Sequence, residues 1–100
     1  MNEISMSNFL AAKKNDIQII DIREKYEYEA GNIESSNIPM GEILESIENI
    51  NKQKKVIIYC QTGRRAAAVV YMLKKVHKFN NVFNLTGGYS EYINLTSNKS

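Results

Sequence analysis

The chain has 100 residues, the length of one domain and too short for two, so we expect a single domain over residues 1–100 with its core at about 4–95. Its hydrophobic fraction of 43% and charged fraction of 24% are those of a globular protein and exclude a disordered chain. The formal net charge of +2 is too small to indicate a nucleic-acid partner, although a small anionic ligand is compatible with it.

The cysteine content and the absence of a long apolar segment indicate the cellular compartment. Cys60 is the only cysteine, so no intramolecular disulfide can form. Residues 1–5 lack the basic and apolar segments of a secretory signal, and the longest apolar run, 66–73, is far below membrane-spanning length. We therefore predict a cytoplasmic protein in a reducing compartment, without a membrane partner.

The first half of the chain alternates between helical and strand patterns. In chain order, the residues predict a helix over 6–14 with Ser5 as its N-cap, a strand over 17–22, a helix over 24–30 that stops at Gly31, and a helix over 41–50. The last helix is predicted because Ile43, Ile47 and Ile50 recur at helical spacing.

The second half repeats the alternation. It predicts a strand over 56–59, a helix over 64–77, a weaker strand over 82–85 and a short helix over 89–95. Short apolar runs without polar alternation are typical of parallel strands covered on both faces. The predicted class is therefore α/β, with a mainly parallel sheet and helices on both faces, and ligands of such sheets bind at the carboxyl ends of the strands.

Cys60 follows the most apolar of these strands and begins a loop with the sequence Cys60-Gln61-Thr62-Gly63-Arg64-Arg65. A helix is predicted to start at about Arg64, so its first N–H groups and positive dipole end face this loop. Gly63 permits a tight turn, and two arginines add positive charge. Such surroundings favour a thiolate, which is a nucleophile, over the alternative of a small buried apolar cysteine.

Several other chemistries are excluded at this loop. His77 lies about twelve residues along the helix, or ~18 Å at about 1.5 Å per residue, too far for a Cys–His dyad. With one cysteine and one histidine, no metal site of the usual composition can be completed. Glycine-rich nucleotide-binding patterns are absent, so we expect neither a metal nor a cofactor.

The loop resembles the C-x-x-G-x-R active-site loop of single-domain rhodanese-like sulfurtransferases. Two further motifs agree with this resemblance, which extends from about Ile4 to Tyr92. They are Asp21-Ile22-Arg23-Glu24 with Glu27-Tyr28, Gly31 and Asn37-Ile38-Pro39, and then Leu85-Thr86-Gly87-Gly88 before the last helix.

The resemblance implies a five-stranded parallel sheet and a defined reaction. Cys60 would accept a sulfane sulfur from a small anionic donor such as thiosulfate and pass it, as a persulfide, to a thiophilic acceptor such as cyanide or a thiol. The persulfide would be held by the N–H groups of the binding loop, which comprises Gln61, Thr62, Gly63, Arg64 and Arg65. Without a second cysteine, the acceptor must be an external thiol or protein.

The chain departs from the family pattern at several positions. Asn32 stands where the family often has His, and Gln61 where a basic residue often follows the cysteine. Ala66 replaces a frequent Ser, and Tyr92 stands where Trp is common.

Supporting residues and other functions are left open. Asp21 and Arg23 could line the crevice, but we interpret them, like Glu27, as part of a structural ion-pair network. Gly87 and Gly88 predict a turn into the last helix, or alternatively a close backbone approach to the loop.

A cysteine-dependent phosphatase or arsenate reductase is one alternative function, disfavoured because phosphatase-like loops have one more residue between Cys and Arg. A non-enzymatic persulfide carrier or docking module is the other.

Overall fold

The computed structural model describes residues 2–97, which form a five-stranded sheet with helices on both faces. All described strand pairs are parallel, and the strand order is β1-β5-β4-β2-β3. The strands are β1 (Glu3–Ile4), β2 (Ile17–Asp21), β3 (Ser36–Asn37), β4 (Lys55–Tyr59) and β5 (Val82–Leu85). The expected α/β class with a parallel sheet is confirmed.

Within residues 2–97, four helices connect these strands and a fifth follows the last strand. They are α1 (Met6–Ala11), α2 (Lys25–Ala30), α3 (Met40–Ile43), α4 (Arg64–Lys75) and α5 (Gly88–Ser97). Single 3₁₀ turns follow α1 and α3, at Lys14–Asp16 and Ile47–Asn49. Ser5 caps α1 as predicted, because its side chain accepts a hydrogen bond from the backbone N–H of Asn8 at 3.1 Å.

Two apolar cores lie on opposite faces of the sheet. The α3 and α4 side includes Ile20, Ile22, Ile43, Ile58 and Leu73. The α1 and α5 side includes Phe9, Ile19, Ile57, Tyr59 and Leu85, with Tyr89 and Tyr92 packed at its edge. Consecutive residues of β4 from Val56 to Tyr59, and Ile19 and Ile20 of β2, face different cores, which explains why these stretches are apolar without polar alternation.

The register brings the ends of the central strands to one level. Asp21, the last residue of β2, pairs with Tyr59, the last residue of β4. The pairing continues one step further, where the N–H of Ile22 donates to the carbonyl of Tyr59 at 3.0 Å. The segments that leave these strands, at Ile22 and Cys60, therefore share the carboxyl edge of the sheet.

The predicted helix over 41–50 is wrong, since α3 ends at Ile43 and a turn separates it from the 3₁₀ turn at 47–49. The N–H of Ser46 bonds to the carbonyl of Ile43, and that of Asn49 to the carbonyl of Ser46, so tight three-residue turns replace the α-helical pattern. Ile43 and Ile50 are nevertheless buried, with Ile47 packed against the same core. Tight turns align residues three apart much as a helix does, so the apolar spacing could not distinguish the two.

Helix boundaries differ elsewhere by a few residues. The first helix ends at Ala11 rather than residue 14, and α4 ends at Lys75 rather than residue 77. Gly31 does terminate α2, but with an extended backbone rather than the left-handed one of a usual C-terminal glycine. A Cβ at Gly31 would meet the hydroxyl of Tyr89, so a larger residue there would displace the end of that side chain.

Within the described part of the chain, no helix combines the length and apolar character needed to cross a bilayer.

The packing of α4 against the core can be tested by a substitution on its buried face. Replacing Leu73, which is fully buried, by Ala removes apolar contacts and leaves a cavity, so the free energy of unfolding should fall by about 2–5 kcal/mol. The neighbouring Met72, which is exposed on the same helix, is the matched control, and Met72→Ala should cost less than about 1 kcal/mol. Urea denaturation measures both; equal losses would contradict the described orientation of α4.

Candidate active site

Cys60 is the first residue after β4, and its sulfur lies at the N-terminus of α4. Its Sγ accepts hydrogen bonds from the backbone N–H of Gly63 at 3.1 Å and of Ala66 at 3.3 Å. Gly63, the N-cap of α4, has a left-handed backbone at φ 99°, which a residue with a Cβ rarely adopts. The thiol is 1% exposed, so the sulfur is enclosed by apolar core on one side and by amides on the other.

The carbonyl groups of this loop are held from outside by α5 and β5. The first N–H groups of α5 donate to the loop, from Tyr89 to the carbonyl of Cys60 and from Ser90 to that of Gln61, both at 2.9 Å. The side-chain amide of Asn84, on β5, donates to the carbonyl of Gly63 at 3.2 Å.

The same contacts orient the N–H groups of the loop. Because the C=O and N–H of a trans peptide point in opposite directions, the N–H groups of residues 61, 62 and 64 are turned away from α5 and β5. Within residues 2–97, these three groups and the N–H of Arg65 have no hydrogen-bond partner. The loop therefore carries four free amide donors in addition to the two on Sγ, as a site for an anion requires.

Gly87 and Gly88 allow α5 to approach the loop. Both have left-handed backbones, at φ 86° and 60°. A Cβ at Gly88 would collide with the backbone of Cys60 and Gln61. The pair thus provides the predicted turn into the last helix, and Gly88 also provides the close backbone approach that was the alternative.

Asp21 and Arg23 form a buried ion pair that also reaches the loop. The Arg23 guanidinium donates to the Asp21 carboxylate at 2.8 Å and to the carbonyl of Gly31 at 2.6 Å. Its remaining Nη1 donates to the Gln61 side-chain oxygen at 3.2 Å, and the Gln61 amide donates to Ser90 Oγ at 2.9 Å. The structural ion pair expected from the sequence is present, and it holds the side chain that follows Cys60.

The environment of Arg23 keeps its guanidinium charged. Burial lowers the pKa of Arg23, but the hydrogen bonds that Arg23 donates to Asp21 and the negative charge of that carboxylate more than offset this and leave the pKa above its ordinary value. Burial also raises the pKa of Tyr59 to about 12. Its neutral hydroxyl accepts from the N–H of Ile33 at 3.1 Å, and its ring lies 5.7 Å from the guanidinium.

Arg65 points to α2 rather than to the sulfur. Its guanidinium bonds to both carboxylate oxygens of Glu27, at 3.2 and 3.3 Å. This hydrogen bonding lowers the pKa of Glu27 and raises that of Arg65. Glu27 also accepts from the N–H of Glu24 in the capping box of α2, so Arg65 ties the start of α4 to the start of α2.

The other predicted positions lie at the rim or far from the site. Thr62 and Arg64 are exposed, so their side chains border the mouth of the loop. His77 lies beyond the end of α4, at the opposite end of that helix from Cys60. In residues 2–97 there is no cluster of three or more side chains that could hold a metal ion.

Sequence reasoning missed Asn84. The only signal was a polar residue within the otherwise apolar strand Val82-Phe83-Asn84-Leu85, and its contact with Gly63 depends on folding.

Comparisons with known proteins give the family. The profile of the Rhodanese-like domain matches residues 7–95. The chain belongs to the rhodanese-like domain family.

Individual relatives agree with this assignment. The chain is 32% identical to the thiosulfate sulfurtransferase GlpE of Coxiella burnetii, over 80% of this chain and 75% of that protein. It is 31% identical to the putative sulfur carrier protein YrkF of Bacillus subtilis, over 94% of this chain and 52% of that protein. The crystal structure of a rhodanese-related protein from Thermoplasma volcanium superposes with a TM-score of 0.86 at 27% identity, over 96% of this chain and 94% of that one. Several other curated relatives are longer, and the chain spans from about a quarter to three-fifths of their length.

Two departures from the family pattern have local structural roles. Asn32 donates to the carbonyl of Tyr28 at 3.0 Å and accepts from the N–H of Glu34 at 2.9 Å, which closes the turn after α2. Gln61 offers Arg23 an acceptor, which a basic side chain could not do.

The approach of α5 to the loop can be tested at Gly88. Gly88→Ala should lower the free energy of unfolding by about 2 kcal/mol or more, because the new Cβ forces the Cys60 and Gln61 backbone away and the left-handed conformation is unfavourable. At Gly41 nothing lies within 4 Å of an added Cβ, so Gly41→Ala is the control and should be neutral or stabilising. If urea denaturation shows Gly88→Ala to be as well tolerated, the close contact is refuted.

The Arg65–Glu27 pair predicts a pH-dependent contribution to stability. Because the folded pKa of Glu27 lies below its ordinary value of 4.5, the contribution is present above that value and is lost as the pH falls through the folded pKa. Glu27→Gln should therefore cost up to about 1 kcal/mol at pH 7, and the difference from wild type should shrink on acidification. Urea unfolding across this pH range measures it, with the exposed Glu29→Gln as control. A difference independent of pH would contradict the pairing.

Proposed function

We propose that this chain is a sulfurtransferase that moves a sulfane sulfur from a small anionic donor such as thiosulfate to an external acceptor through a persulfide on Cys60. The observation that carries the proposal is the sulfur of Cys60 at the N-terminus of α4, with two backbone N–H groups on it and free amide donors in the same loop. A relative named as a thiosulfate sulfurtransferase and another named as a putative sulfur carrier support it.

The proposed reaction has two displacement steps. The Cys60 thiolate attacks the outer sulfur of thiosulfate, a new S–S bond forms, and the old S–S bond breaks so that sulfite leaves with the electron pair. A thiolate or cyanide then attacks the outer sulfur of the persulfide, and the electron pair of that S–S bond returns to Cys60. Both steps move negative charge between Sγ and the outer sulfur, and neither needs a cofactor.

The loop supplies the electrostatic stabilisation. The N–H groups of Gly63 and Ala66 hold Sγ, while those of residues 61, 62, 64 and 65 are available to the outer sulfur. Fixed amide donors need no reorganisation as charge moves, which lowers the barrier of both steps. Arg64, exposed at the rim, attracts an anionic donor, whereas Arg65 and the Asp21–Arg23 pair hold the loop in place.

The acceptor in this scheme is an external thiol or protein, because the chain has no second cysteine to attack the persulfide.

A persulfide carrier is the second candidate, favoured by the similarity to the putative sulfur carrier protein. It uses the same persulfide and differs only in that sulfur is loaded and delivered to a partner without significant turnover. A phosphatase or arsenate reductase has less support, since only four residues separate Cys60 from Arg65 and the enclosed sulfur leaves little room for a tetrahedral oxyanion.

The proposal is tested by loading the protein with sulfur. Incubation of the reduced chain with thiosulfate should add the mass of one sulfur atom at Cys60, and Cys60→Ser should abolish it, as seen by mass spectrometry of the intact protein. Met72→Ala, which changes an exposed side chain of α4 outside the loop, is the control and should load like wild type.

Sulfur added to the Cys60→Ser protein would overturn the proposal. Thiocyanate production from thiosulfate and cyanide then separates the two candidates, because an enzyme turns over many times while a carrier delivers one sulfur. Rapid hydrolysis of an aryl phosphate would instead support the phosphatase.

A further inference from the structure

Asn84 is a buried polar residue that touches the Cys60 loop from beneath. It lies on β5, in the face that packs under the start of α4, and is 4% exposed. Its Nδ2 donates to the carbonyl of Gly63 at 3.2 Å and to the carboxylate of Glu3 at 3.0 and 3.2 Å. Both amide hydrogens are therefore committed to acceptors.

The orientation of this amide is determined by its neighbours. A backbone carbonyl and a carboxylate can only accept, so the nitrogen of Asn84 and not its oxygen must face them. The oxygen, Oδ1, is left buried without a partner among the described residues. Leaving a polar atom unpaired costs free energy that an apolar side chain, like the others of β5, would avoid. The hydrogen bond to the carbonyl of Gly63 is the interaction that asparagine makes here and an apolar side chain could not.

The hydrogen bond from Asn84 to Gly63 also affects the direction of the N–H groups of the loop. The carbonyl of Gly63 accepts from the Asn84 amide at 3.2 Å and also from the backbone N–H of Ala67, in the first turn of α4, at 3.0 Å. This carbonyl and the N–H of Arg64 belong to one peptide, so the two hydrogen bonds together fix the direction of that N–H. The preceding N–H, of Gly63 itself, bonds to Sγ of Cys60. The Asn84 amide thus holds the glycine around which both donors are arranged.

The short strand β1 contacts the Asn84 amide through the side chain of Glu3. Glu3 pairs in register with Asn84, and its carboxylate also accepts from the hydroxyl of Thr86 at 2.8 Å. The carboxylate is thereby held against Nδ2. We propose that Asn84, oriented by Glu3, is a positioning residue that sets the donor geometry of the Cys60 loop; this inference rests on the sulfur chemistry proposed above.

The experiment compares two asparagines at opposite ends of β5, Asn84 near its carboxyl end and Asn81 directly before its first residue. Asn84→Ala removes the donor, and Asn84→Asp keeps the shape of the side chain but replaces the donating nitrogen by oxygen. Asn81→Ala is the matched control, because Asn81 donates two hydrogen bonds to the carbonyls of Asn51 and Lys54, at 2.8 and 2.7 Å, at the entry to β4. It should lower the melting temperature without reaching the loop.

Two rate constants are measured, for sulfur loading of Cys60 from thiosulfate and for its alkylation by iodoacetamide. Each Asn84 variant should lower the loading rate constant about tenfold or more, since a misplaced donor no longer stabilises the transferring charge, and should change alkylation as well. Asn81→Ala should keep both rate constants within about twofold of wild type. Folded Asn84 variants that react like wild type, or an equal loss in Asn81→Ala, would overturn the inference.

Variants at Glu3 decide the matter if the Asn84 variants do not fold. Glu3 is exposed, so Glu3→Ala and Glu3→Gln should both fold. Glu3→Ala should slow loading about threefold, while Glu3→Gln, which keeps an accepting oxygen, should restore most of the rate. Equal, wild-type rates in both would refute the role of β1. If wild type itself takes up no sulfur, the proposed function fails, and the alkylation rates alone decide the role of Asn84.

Discussion

The hydrogen bonds from Gly63 and Ala66 to the Cys60 sulfur are the interaction around which the carboxyl edge of the sheet is organised. They exist because a buried parallel strand ends one residue before the cysteine and a helix starts four residues after it. Only a left-handed glycine lets the chain turn within that distance while its N–H faces the sulfur. The result is a cluster of backbone donors around the sulfur, which charge reversal of a single side chain would not abolish.

Such a site is useful only if the loop cannot relax, and its neighbours restrain it from three directions. On one side, α5 bonds to the carbonyls of Cys60 and Gln61, with Gly88 in contact with both. On another, Arg23 of the Asp21–Arg23 ion pair donates a hydrogen bond to the Gln61 side chain. The Arg65–Glu27 pair, together with Asn84, anchors the end of the loop. The charged side chains near the cysteine thus act mainly on the scaffold, which keeps the amide donors preorganised.

The sequence predicts the parts of this arrangement that have a local signal. The apolar strands, the helix that starts at Arg64, the position of Cys60 between them and the motifs of the family are all local. The two-residue strands β1 and β3 carry no periodicity, and they exist only because β5 and β2 offer them free edges. The isoleucines of 41–50 gave the right buried positions but the wrong element. Arg65 with Glu27, and Asn84 with Gly63, are 38 and 21 residues apart, so no local pattern could pair them.

The enclosure of Cys60 also determines how a partner must approach. The sulfur is buried, and its apolar side lies in the core under α4. The rim formed by the exposed residues Thr62 and Arg64 is the side from which the loop meets solvent. In the proposed reaction, transfer of the first sulfur outward extends the reactive atom towards that rim by one S–S bond. The persulfide, more than the thiol, is then the form that a bulky external acceptor can reach, which suits a chain with no second cysteine of its own.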